Sequence, residues 1–248
     1  MTVERASSGR LYGVGVGPGD PELLTLKALR VLREVPVVAV PVPHEGSESQ
    51  ALKTASAWLQ PEQRVLRLLF PMAEDTATRE RHRRAAARSV LRELQLGRDV
   101  AFLTEGDPTI HSTFIYMLRN LPEDLPVEIV PGISSITAAA AQARTPLVSS
   151  DRRLAVIPAT SGNLAGLRRA LSEFDTVVLL KVHRTLDLVI DLLDEMGLTE
   201  RAVLVERASH PCGRVVRNLR QLRGQPVHYL SLLIVSTRPG EDGRGGLG

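Results

Sequence analysis

The sequence predicts an α/β protein built as two α/β domains with mainly parallel sheets and a cleft between them. Three observations carry this reading. Short apolar runs alternate with amphipathic segments of helical period along the whole chain, the pattern of repeated strand–helix units. Most of the apolar runs end in loops containing glycine, proline or aspartate. The 248 residues suffice for two domains of about 110–130 residues each.

The elements follow in order. Residues 11–16 form a strand, because they are apolar and stop at a glycine-proline turn. Pro21 opens a helix over 21–34, with Asp20 before it as a cap. Residues 37–40 form a second strand, closed by Pro41 and Pro43. A helix over 48–59 carries Trp58 on its apolar side, and a short strand over 64–69 precedes Pro71. An arginine-rich helix over 78–96 is stopped by Gly97. Strand 100–103, helix 112–121 and strand 127–130 complete the first rhythm. A second series has helix 134–142, strand 154–157, helix 164–171, strand 176–181, helix 186–196 and strand 202–206. It ends in a polar stretch holding Pro211 and Gly213 and a last strand near 230–235. The break falls at Pro131-Gly132, giving domains 9–131 and 132–237. The glycine-rich tail 238–248 is expected to be disordered.

Composition narrows the function. The formal net charge is +3, and only Lys27, Lys53 and Lys181 among 31 cationic side chains are lysine. The remaining arginines supply planar donors for carboxylates. Aromatic residues are 3%, too few to stack single-stranded nucleic acid, so no nucleic-acid partner is expected. One cysteine, Cys212, excludes an internal disulfide and a cysteine metal cluster. Residues 1–10 lack the apolar core of a signal peptide, and no apolar run approaches the ~20 residues of a membrane span. A cytoplasmic enzyme with no membrane partner is the expectation.

Four loops at carboxyl ends of predicted strands hold the chemistry, and that edge is where open α/β sheets bind ligands. The first is Gly13-Val14-Gly15-Val16-Gly17-Pro18-Gly19-Asp20. It fails as a dinucleotide fingerprint. Counted from Gly15, the third glycine position is Asp20, and from Gly13 it is Pro18. The second is Thr104-Glu105-Gly106-Asp107-Pro108, and the third is Val130-Pro131-Gly132-Ile133-Ser134-Ser135. The fourth brings Lys181 together with Val205-Glu206-Arg207-Ala208. Each alone reads as common turn chemistry. Their shared placement points to one ligand edge.

These motifs, in this order, resemble the tetrapyrrole methylase family, and the resemblance covers about 10–237. Residues 11–20, Ser112-Thr113-Phe114-Ile115-Tyr116, 175–182 and Ser231-Leu232-Leu233-Ile234-Val235 resemble the branch that methylates precorrin-2 at C-20. The resemblance implies two α/β domains, a deep cleft, a homodimer and S-adenosylmethionine as methyl donor, with a tetrapyrrole as small-molecule substrate. It places Pro18 on the cofactor side of the first loop. It gives Glu105, Gly106 and Asp107 the amino-acid part of the cofactor, with Ile110 packed beside them. Ser134 and Ser135 lie against the cofactor, and Lys181 and Ala208 flank its adenosine through backbone contacts.

Methyl transfer from a sulfonium to carbon needs positioning more than an activated nucleophile. None is in sight: no Gly-x-Ser-x-Gly elbow surrounds Ser134, and Cys212 lacks an activator. A base for the displaced ring proton is sought among Asp20, Asp107 and His111, with Asp20 and His111 entered as catalytic candidates. Asp20 reads equally as a helix cap. The six histidines lack metal-ligand spacing, so no metal is expected. The arginines of helix 78–96 read as a solvated face, or as partners for ring carboxylates. The rivals are a sibling methylase acting elsewhere, a nicotinamide oxidoreductase and a silent binding protein. The failed glycine spacing, and Val40-Pro41 where an acidic residue would end the second strand, oppose the oxidoreductase.

Overall fold

In the computed structural model, which describes residues 8–71 and 75–238, the apolar run after Arg10 forms β1 (Leu11–Gly15). The chain divides into two units, Met1–Ser134 and Ser135–Gly248.

In the first unit β1 is followed by α1 (Leu26–Glu34), β2 (Val37–Val42), α2 (Gln50–Ala55) and β3 (Arg64–Leu69). Then come α3 (Thr76–Gln95), β4 (Val100–Thr104), α4 (Thr113–Leu118) and β5 (Val127–Val130). The five strands make one sheet in the order β3-β2-β4-β1-β5, parallel at every pairing. β4 lies at its centre and is buried on both faces. Ala101 and Leu103 pack with Val14, Val38 and the α1 residues Ala28 and Leu32. Val100 and Phe102 pack on the other face, with Leu11, Leu94 of α3 and Phe114 of α4. A continuous apolar run suits a strand covered from both sides.

The expected helix over 21–34 is broken in two. Pro21–Leu23 makes one 3-10 turn, and Leu24 is extended. Thr25 then caps α1, its Oγ1 accepting the Ala28 N–H at 3.1 Å. A hydroxyl in the right register starts a fresh helix where the run of apolar residues gave no break. Likewise α2 starts after the Ser49 cap and passes into a 3-10 turn at Ser56–Trp58.

The second unit runs α5 (Ser135–Gln142), β6 (Leu154–Pro158), α6 (Leu164–Glu173), β7 (Thr176–Leu180), α7 (Leu186–Glu195), β8 (Ala202–Glu206), β9 (Arg214–Val216) and β10 (Ser231–Ser236). Its sheet order is β6-β7-β10-β8-β9. β6 pairs with β7 in parallel, whereas β10 runs antiparallel between β7 and β8. β9, in the stretch expected to be a polar loop, pairs antiparallel with β8. The connection from Glu206 to Arg214 is too short for a parallel crossover, which takes about a dozen residues or more. α6 and α7 cover one face, with Leu167, Leu171, Ile190 and Leu193, and α5 covers the other.

Of the tail expected to be disordered, residues 239–248 lie outside the described residues. Arg238, its first residue, instead pairs with the buried Asp175 at 2.5 Å.

Candidate active site

β4, β1 and β5 are neighbours running in one direction, so the loops that leave them share one edge of the first sheet. The loops are in direct contact. Val16 N–H donates to Thr104 O at 3.0 Å, and Gly106 N–H donates to Gly17 O at 2.8 Å. A Cβ on Gly15 would lie 2.6 Å from Gly106 O and 2.7 Å from Gly132 Cα. A Cβ on Gly132 would lie 2.2 Å from Gly106 O. Three backbones meet where no side chain fits. Gly17 adds φ 77 and Gly106 φ 65, conformations that cost other residues more.

Asp107 ties the second loop to the third. Its Oδ2 accepts the Gly132 N–H at 3.0 Å, and its Oδ1 accepts the Thr109 N–H at 2.8 Å and the Thr109 hydroxyl. Desolvation pushes this carboxyl up, but the hydrogen bonds from Thr109 and Gly132 together hold it below the ordinary aspartate value. Asp107 is therefore charged near neutral pH. Thr104 and Ser112 close the same loop through a buried hydroxyl pair at 2.9 Å, and Ser112 also caps α4 through the Phe114 N–H at 3.0 Å. No motif in the sequence marks this hydroxyl pair, because the two residues meet only when the loop folds.

Each expected site residue has a defined place. Pro18 is half-buried between Gly17 and Gly19. Asp20 caps the turn at Pro21, one carboxylate oxygen accepting the Glu22 N–H at 2.9 Å. Glu105 is the first residue past β4 and is half-buried. Its carboxyl makes no hydrogen bond or ion pair among the described residues, and burial pushes it up to about 7. Ile110 and His111 are exposed in the same loop, His111 at φ 50. Ser134 closes the third loop, half-buried, and the exposed Ser135 opens α5.

In the second unit the carboxyl ends of β7 and β8 lie on one edge, because both run antiparallel to the β10 strand between them. Lys181 follows β7, exposed and left-handed at φ 60. Ala208 follows β8, buried between two left-handed residues, Arg207 (φ 51) and Ser209 (φ 62). Arg207 N–H donates to Leu230 O at 2.8 Å, and Ser209 N–H donates to Gln142 Oε1 at 3.0 Å, which ties this loop to α5. Non-glycine left-handed residues cost about 1–3 kcal/mol and gather at functional sites. Four of the six among the described residues, His111, Lys181, Arg207 and Ser209, sit on these two edges. His183, one of the six histidines without metal-ligand spacing, lies on the second edge too. Its Nδ1 is buried without a partner, and desolvation, then Arg184, lowers its pKa.

The three first-unit loops share an electrostatic character. Residues 13–24, 104–112 and 130–135 contain Asp20, Glu22, Glu105 and Asp107 and not one lysine or arginine. A phosphate would find no cation there. A cationic, phosphate-free ligand would find backbone carbonyls and carboxylates. Among the described residues no group of side chains is arranged to hold a metal ion.

The chain is similar to known proteins. The family model described as Tetrapyrrole (Corrin/Porphyrin) Methylases matches residues 10–222. The chain is 34% identical over 232 residues to a cobalt-precorrin-2 C(20)-methyltransferase of Salmonella typhimurium, covering 92% of this chain and 97% of that one. It is 33% identical over 235 residues to a precorrin-2 C(20)-methyltransferase of Sinorhizobium sp, covering 92% and 95%. A solved structure of uroporphyrin-III C-methyl transferase from Thermus thermophilus, complexed with S-adenyl homocysteine, matches with a TM-score of 0.65 at 29% identity and covers 92% of each chain.

Proposed function

The chain belongs to the tetrapyrrole (corrin/porphyrin) methylase family, and from that premise we propose that it methylates C-20 of precorrin-2, or of its cobalt complex, in cobalamin biosynthesis. The observation that carries the reading is the identity of 33–34% over 92% of the chain to C(20)-methyltransferases, and the cation-free, carboxylate-bearing loop set on the ligand edge of the first sheet supports the methyl donor. S-adenosylmethionine fits that chemistry: it has no phosphate, and the positive charges on its sulfur and amino group outweigh its single carboxylate. When bound, it supplies an electrophilic methyl carbon.

The residues of this chain then bind and orient. In this reading the Gly15, Gly106 and Gly132 backbones bring the three loops together at close range, and Pro18 lines the cofactor side. Gly106 and Asp107 hold the amino-acid part beside Ile110, and Glu105 contributes its backbone there while its carboxyl stays free. Asp107 acts as a fixed negative charge, because its oxygens are already held by Thr109 and Gly132. Ser134 and Ser135 lie against the cofactor, and Lys181 and Ala208 offer backbone groups to adenosine. Holding two reactants at attack distance supplies much of the rate enhancement in such a reaction. The reading includes a homodimer in the cytoplasm. The lone cysteine, exposed Cys212, fits a reducing compartment. No helix among the described residues is long and apolar enough to cross a membrane.

The test is incubation with S-adenosylmethionine and precorrin-2, with and without cobalt, followed by NMR location of the new methyl group. A methyl on C-20 is expected. A methyl on another carbon, or none although S-adenosylhomocysteine binds, overturns the substrate. Thermal protection by NADH but not by S-adenosylhomocysteine overturns the methylase reading.

A further inference from the structure

Replacing a ring hydrogen by a methyl group leaves one proton to be removed, and beside the exposed Glu22 the first-unit loops offer four titratable candidates near the sheet edge. Asp107 has both oxygens engaged, one by Thr109 and one by Gly132. Asp20 is committed to the cap of the turn at Pro21. His111 is exposed, where a base would meet water. Glu105 differs from all three. Its flanking residues are clamped to the first loop, Thr104 O by Val16 N–H and Gly106 by both of its backbone groups to Gly17, so its Cα is fixed. Its carboxyl is half-buried and makes no hydrogen bond or ion pair among the described residues.

We infer that Glu105 is the proton acceptor of the reaction, removing the hydrogen from C-20 after that carbon has bonded to the methyl group. This rests on the proposed C-20 methylation. The ring carbon's π pair forms the new C–C bond, and the methyl–sulfur pair stays with sulfur. The C-20–H pair then returns to the ring, and the proton passes to a Glu105 oxygen and on to solvent. One methyl is gained and one proton released, with no oxidant or reductant. Desolvation, with no ion pair to oppose it, brings this carboxyl up to about 7. A group that titrates near the working pH can both take a proton and give it up.

The test compares wild type with Glu105→Gln and Glu105→Asp. In Glu105→Gln, kcat is expected to fall about 10²–10⁴-fold, the usual share of a general base. Affinity for S-adenosylhomocysteine is expected to persist, which also reports folding. A second readout needs no methyl donor. In D₂O the acid form of Glu105 can deliver deuterium to C-20 and the base form can take the hydrogen, so wild type should exchange the C-20 hydrogen of precorrin-2 faster than buffer. Glu105→Gln should not, and Glu105→Asp should recover part of the rate. An infrared carboxylic-acid band titrating near pH 7 should vanish in Glu105→Gln. Wild-type turnover and exchange in Glu105→Gln overturn the assignment while leaving the proposed function intact. A wild-type enzyme that methylates no precorrin-2 at C-20 overturns both.

Discussion

Gly132→Ala tests the contact on which the candidate site is built. The added Cβ would lie 2.2 Å from Gly106 O and 2.8 Å from both Cα and C of Gly15. All three are backbone atoms, so no flexible side chain can yield. Reaching ordinary contact, from 2.2 to 3.4 Å, requires the second and third loops to part by about 1.2 Å. Gly132 has no positive φ, so crowding alone sets the steric cost, about 1–3 kcal/mol for overpacking. Parting the loops also threatens the Gly132 N–H bond to the Asp107 carboxylate, and leaving that partner unpaired costs a further ~1–3 kcal/mol. Thermal unfolding should register this as a fall of about 2–4 °C for each kcal/mol. A 1 Å error in positioning is worth about 100-fold in rate, so methyl transfer should fall by that order. The control is Gly162→Ala, an exposed glycine with nothing within 4 Å of its added Cβ and no positive φ. Equal Tm values for the two variants, with S-adenosylhomocysteine affinity unchanged in Gly132→Ala, would refute the reasoning.

Ser112→Ala removes the α4 cap and the buried partner of Thr104, and urea unfolding should show a loss of about 0.5–2 kcal/mol. Lys181→Gly relieves a left-handed residue whose side chain is exposed, so stability should hold or rise and cofactor affinity should persist. Lost affinity there would show that the lysine side chain, not the backbone, holds adenosine. Asp194 is lowered from the ordinary 3.8 to about 2, by its bond from Thr199 first and then Arg223. Its folded pKa lies below its unfolded one, so its stabilisation is present above pH 4 and is lost as pH falls from 4 toward 2. Asp194→Asn should flatten urea stability across that window, and an unchanged acid limb would count against the Thr199–Arg220–Arg223 cluster as its source.

Much of the fold was legible because strands and helices carry their own periods. β3, β5 and β8 have the boundaries that composition alone predicts, since apolar runs bounded by turn residues have few other uses. What could not be read were breaks and pairings. The start of α1 depends on the Thr25 hydroxyl reaching the Ala28 N–H, and the short β9 exists because β8 offers it a ladder. In the site, Asp20 as a cap followed from its place before Pro21. Asp107 as a bond between loops did not, because Gly132 lies 25 residues away along the chain.

The sequence by itself determined the α/β class, the loops at strand ends, their lack of cations and the family they resemble. These depend on residue type and spacing over a few positions, where propensity and charge act directly. Only the tertiary structure decided which loops touch, that Gly15 and Gly132 meet the Gly106 carbonyl without room for a Cβ, that β10 enters its sheet antiparallel, and that Glu105 stands desolvated and unpartnered while Asp107 is held. Desolvation and close contact are sums over atoms brought together from distant parts of the chain, and no local stretch of residues contains that sum.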